Sequence, residues 1–211
     1  MTGKLGKCIA PTVVSQKPTT LKVSSGSVVD KETDAVLFSC KAKTGLAKLT
    51  ITCTGPNDEV LCVALGKDGL TSAGARFLRS TPAYKGQGPA VEKAPDGGEL
   101  YSFATLEIKK SFFGATATYS YTKGDPDGDS VMVPLYVATK VKAMQFLVRV
   151  ENMDGTLVAK YWQPGMNPKV CECMCGKGVD MLAVCLLGSF VGAATGSGGA
   201  AVGGLAGAGV I

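Results

Sequence analysis

Histidine is absent from all 211 residues of this chain. That excludes Ser-His-Asp and Cys-His catalysis, histidine ligation of a metal and a histidine pH switch. Tryptophan occurs once, and charge is missing altogether from residues 181–211. The 22 Lys+Arg and 17 Asp+Glu are interspersed, without the dense basic face that a dedicated nucleic-acid binder needs. The opening MTGKLGKCIAPTVV lacks the apolar core of a secretory signal, and Thr2 stands where myristoylation requires glycine. A reducing, cytoplasmic setting is the expectation, with peripheral membrane contact open. The eight cysteines should then be thiols. No segment before residue 178 shows a convincing helical period.

What the chain does have is period two. Ala47, Leu49, Ile51 and Cys53 alternate with Lys48, Thr50 and Thr52, the pattern of a strand with one wet face. Gly55-Pro56-Asn57-Asp58 is turn chemistry, and EVLCVAL returns as the next strand. Ala115, Ala117, Tyr119 and Tyr121 alternate with Thr116, Thr118 and Ser120. Pro134 places VMVPLYVA at an edge or a bulge. Asp154-Gly155 joins MQFLVRVE to TLVAKYW as a hairpin. Residues 66–98 read as loops with a short strand at ARFLR. The hairpins at 50–64 and 145–159 align without gaps, matching Asn57 to Asn152, and read as a faint duplication or as chance similarity. With 45% hydrophobic residues, one domain with a sizeable core is expected. It should be preceded by a flexible leader over 1–19 and followed by a Gly/Ala-rich tail over 195–211.

Met181 to Ala194, MLAVCLLGSFVGAA, is apolar on every side and must be surrounded on every side. Fourteen residues are short for a bilayer, which needs about 20. A closed β-barrel is the natural container, and closure also removes exposed strand edges. Extended through the Gly-rich tail, the same segment would be long enough to span, so a transporter with residues 181–211 in the membrane stays open, as does an assembly subunit with the tail at an interface. Gly178 and Asp180 are expected at the helix start, where a carboxylate meets free N–H groups and the helix dipole.

Three motifs invite chemistry. Cys171, Cys173 and Cys175 share one strand face opposite Glu172, which favours thiols packed inward, with palmitoylation and then a metal as the other readings. Asp125-Pro126-Asp127-Gly128-Asp129 opens like a calcium loop, but Ser130 and Tyr136 stand where glycine and glutamate are needed. Lys109, Lys110, Lys140 and Lys142, with Lys123, lie near strand ends as solvated lysines or as a contact for anionic lipid, each worth about 1 kcal/mol at a membrane. No carboxylate pair, lysine or cysteine stands out as catalytic, so no enzyme, cofactor or metal is expected.

The succession LKVSSGSVVDKETDAVLFSCKAK and LTITCTGPNDEVLCVALGK resembles the paired strand-turn-strand opening of the LURP-one-related proteins. VRVENMDGTLVAKYW, KVCECMC and GVDMLAVCLLGSFVGA resemble their closing hairpin, last strand and apolar helix. The likeness covers about residues 20–194. It rests on element order and on Asp154, Gly155, Val158, Ala159, Gly178, Val179 and Asp180. That family is related to phospholipid scramblases and to the tubby C-terminal domain. The resemblance implies a twelve-stranded antiparallel β-barrel threaded by a hydrophobic helix over about 178–194. It also implies a non-enzymatic module that binds lipid or protein at a membrane. The acidic calcium-binding segment that scramblases carry before the final helix is reduced here to Asp180, and tubby's phosphoinositide-binding residues have no positional match.

Overall fold

Alternation of apolar and polar residues is the local cause of the strands, and it fixes which side of each strand is buried. The computed structural model describes residues 8–24, 26–44, 49–66, 74–83, 87, 90–94, 97–111, 114–124, 130–141, 147–165, 167 and 170–194. In chain order its strands are β1 (Thr19–Ser24), β2 (Ser27–Asp30), β3 (Val36–Thr44), β4 (Leu49–Thr54), β5 (Val60–Gly66) and β6 (Gly74–Arg79). Then come β7 (Glu92–Lys93), β8 (Glu99–Ser111), β9 (Gly114–Gly124) and β10 (Ser130–Lys140). β11 (Leu147–Asn152), β12 (Leu157–Trp162) and β13 (Val170–Cys175) precede the helix α1 (Met181–Ala194).

The fold is mainly β: a closed, twelve-stranded antiparallel barrel around the C-terminal helix. Most sheet neighbours are consecutive in sequence. Two pairings close the ring, β1 with β13 (Thr19 opposite Cys175) and β6 with β8 (Gly74 opposite Glu107). β7 pairs with β8 and stays outside the wall, where Val63, Leu78, Ala94 and Leu100 form a small outer cluster. Five register shifts interrupt the ladders: those at Cys53/Thr54, Phe77/Leu78 and Val150/Glu151 fall in the half of the barrel nearer the start of α1, and those at Val28/Val29 and Pro134/Tyr136 fall mid-strand. Bulges bend and twist strands. We call the end nearer the start of α1 the proximal end and the other the distal end. Pro134 sits at one of these bulges, where its missing N–H costs no regular ladder bond.

The interior follows the sequence pattern. Leu21, Phe38, Ile51, Phe77, Tyr119, Tyr161 and the helix residues Leu182 and Leu186 are fully buried. Phe77 meets Tyr119 edge-on at 5.3 Å and Phe190 at 6.1 Å. Gly188 is where the helix comes closest to the wall: a Cβ there would lie 2.5 Å from the Tyr161 ring. The next residue, Ser189, hydrogen-bonds the Tyr161 hydroxyl at 3.4 Å.

Two expectations change. Residues 8–18 are not a flexible leader; they pack over the proximal end as a strap, with Ile9 and Val13 buried. Residues 1–7 lie outside the described residues, as do the tail 195–211 and the acidic loop 125–129. The gapless hairpin alignment is also two residues out. The turn bond Gly55 N–H to Glu59 O corresponds to Asn152 N–H to Thr156 O, and the positive φ of Asp58 to that of Gly155. Asn152 therefore matches Gly55, not Asn57. A two-residue slip keeps every side chain on its face, which is why pattern alone could not detect it.

Candidate functional site

The proximal end is built around the start of α1. Gly178, at φ +80°, makes the turn that brings β13 into the helix. Asp180 follows, fully enclosed. One carboxylate oxygen accepts the Ala183 N–H at 2.9 Å, capping the helix, and the other accepts the Ile9 N–H of the strap at 2.6 Å. Gly178 and Asp180 thus stand at the helix start, as their residue types led one to expect. Ser15 stitches the strap down: its hydroxyl accepts the Val179 N–H at 3.0 Å and donates to the Gly176 carbonyl. Arg79, nine-tenths buried, reaches the carbonyls of Cys8 and Pro82 at 2.8 Å and of Thr81 at 2.9 Å, with its guanidinium 4.2 Å over the Phe103 ring.

Electrostatics here follow from burial. Desolvation pushes Asp180 up to about 6, against the three backbone N–H groups and Arg79 that favour its charged form. Burial and the same carboxylate raise the phenols of Tyr119 and Tyr136. The Tyr119 hydroxyl has no hydrogen-bond partner among the described residues. Beside this nexus lies a cavity of about 610 Å³ between the strap, the bulged middle of β10, the end of β11 and the turn into α1. Sequence reasoning missed Arg79, the strap and the cavity, because their partners lie far away in the chain.

At the distal end the cations gather. Lys109 on β8 and Thr139 on β10 both pair with Thr116 of β9, so Lys109 and Lys140 come to the same rim; Lys110, opposite Ala115, belongs to it by register. Lys142 lies outside the described residues. Partial burial pulls Lys140 down. Lys41 and Lys43 of β3 and Arg76 of β6 point to the same end, a grouping that only barrel closure creates. Glu107 and Glu172 are the carboxylates of that half among the described residues, whereas Glu32, Asp34, Asp58, Glu59, Glu99 and Asp154 lie at the proximal end.

The cysteines face inward. Cys171, Cys173 and Cys175 are all at 0% exposure, Cys173 and Cys175 lie 3.6 Å apart at sulfur, and Cys40 and Cys53 lie 2.8 Å apart. An acyl donor cannot reach such thiols while the barrel stays closed, and burial raises the Cys53 and Cys62 thiols well above the ordinary range. No group of three or more potential ligands that could hold a metal occurs among the described residues. Among those residues, too, no helix is long and apolar enough to cross a membrane. Comparison with protein-family models and with curated proteins gives no match.

Proposed function

We propose that the chain is a non-enzymatic, tubby-like module related to the LURP-one-related proteins, which docks peripherally on anionic membrane surfaces in the cytoplasm through its distal end. The observation that carries this reading is an imbalance of charge along the barrel axis: cations outnumber carboxylates at the distal rim, and carboxylates outnumber cations at the proximal end, where Lys17, Lys31, Arg79, Lys93, Lys123 and Lys177 also lie. The interior supports it by being filled: α1 occupies the space where a barrel would hold a ligand, so the outer wall and the two ends are left to do the binding. Lys109, Lys140, Lys41 and Lys43 would face lipid headgroups, each contributing about 1 kcal/mol near an anionic surface.

The test is co-sedimentation of the full chain with phosphatidylcholine vesicles, with and without phosphatidylserine. Binding is expected only to the anionic vesicles, and weaker at high salt. The triple variant Lys41→Glu, Lys43→Glu, Lys109→Glu should lose roughly 100-fold in partitioning, as removal of three such contacts requires. Equal binding to neutral and anionic vesicles would overturn the reading.

A further inference from the structure

We infer that the proximal cavity is a binding site for a single-chain amphiphile with an anionic head, of the long-chain fatty acid class. The inference is independent of the distal membrane contact, since the two sites lie at opposite ends of the barrel.

Size comes first. About 610 Å³ lies within the range of roughly 300–1,000 Å³ typical of small-molecule pockets. The lining is divided by chemistry. Pro11 and Val14 of the strap, Leu135 at the β10 bulge and the Tyr136 ring give an apolar wall. Lys177 and Asn152 supply an ammonium and a carboxamide at the rim.

Charge then selects the head. Lys177 is exposed and makes no ion pair among the described residues. The one carboxylate in the lining, Asp180, is already engaged by Ile9 and Ala183 and points its oxygens at backbone N–H groups. The carboxylate on the floor is held by the strap and caps the N-terminus of α1, which leaves the exposed ammonium of Lys177 as the charged group an anionic head would meet at the mouth.

The tail has a path as well. Val131 and Met132 precede Leu135 on β10, and Met153 and Leu157 flank the turn after Asn152. All four are exposed, at 47, 42, 55 and 37% respectively. Large apolar side chains left in water beside a partly apolar cavity mark a surface that something apolar covers. Val131 and Met132 point to opposite sides of β10, so a hydrocarbon chain running outward from the apolar wall of the cavity would cover one of these faces.

The probe is dodecanoate below its micellar concentration, titrated calorimetrically into the full chain, with dodecanol and acetate as controls. Saturable one-to-one binding of dodecanoate is expected, weaker for dodecanol and absent for acetate. Lys177→Gln, at an exposed position, should lower dodecanoate affinity roughly fivefold and bring it level with dodecanol. Leu135→Trp, which fills the cavity, should abolish binding. Should that variant fold poorly, acetylation of the unaltered protein still decides: saturating dodecanoate must slow modification of Lys177 and leave Lys109 unchanged. Absence of saturable dodecanoate binding, equal affinity for the alcohol, or unprotected Lys177 would each overturn the inference. Because Lys177→Gln leaves the distal rim intact, its binding to anionic vesicles should match the parent, so failure of one site is not mistaken for failure of the other.

Discussion

Asp180 ties the strap to the start of α1, and its burial has a thermodynamic sign. Its carboxyl is pushed from 3.8 to about 6 in the fold, so between those values the folded state holds a proton that the unfolded chain has released. The resulting stabilisation is complete below about pH 4 and is lost as pH rises through about 6, an effect on the order of 3 kcal/mol at most. Urea denaturation at pH 4.5 and pH 7.5 should therefore show a contribution favouring acid, and Asp180→Asn should flatten that slope. An unchanged slope would mean the carboxyl is better solvated than its enclosure implies. Gly188 makes a second test. Its Cβ position is occupied by the Tyr161 ring, so Gly188→Ala must displace the ring or the helix and should cost about 1–3 kcal/mol despite alanine's better helix propensity, read as a fall in Tm. The thiols give a third. All eight cysteines are buried thiols, and those of Cys8 and Cys171 are raised to about 11, so iodoacetamide at pH 8 should leave the native protein unlabelled and modify all eight in denaturant.

Among the elements, the strap is the one that composition concealed. Its Pro11, Pro18 and scattered polar residues read as a disordered leader, yet Ile9 and Val13 bury it while Asp180 and Arg79 take up its backbone groups and its own Ser15 hydroxyl bonds the turn into α1. Ser15→Ala leaves the buried Val179 N–H without its partner and should cost about 1–3 kcal/mol in chemical denaturation. A loss within experimental error would show that water replaces the hydroxyl. The strands were legible because their period is local. Tyr119 and Tyr161 could be placed inward from alternation alone, and so could the Cys171, Cys173 and Cys175 face. The two-residue error between the hairpins was not legible, since faces are preserved under an even slip. The helix was legible from its lack of any polar face.

For the molecule as a whole, closure decides the charge distribution. Lys41, Arg76, Lys109 and Lys140 are scattered over about 100 residues of sequence, and nothing local in the sequence groups them. The antiparallel up-and-down path delivers them to one rim and most carboxylates to the other. The long axis should then carry a dipole that orients the barrel on charged surfaces, an effect that salt weakens within a Debye length of about 8 Å at physiological ionic strength.

Reading residues in order was enough to establish the absence of histidine chemistry, the two faces of the strands at 47–53, 115–121 and 171–175, and the need to enclose Met181–Ala194, because each depends on neighbours within a few positions. The meeting of Ile9 with Asp180 across 171 positions, the reach of Arg79 to the Cys8 carbonyl across 71, and the gathering of cations at the distal rim came only from the folded chain. Strand register and the β6–β8 and β1–β13 closures set those distances, and no local periodicity encodes them.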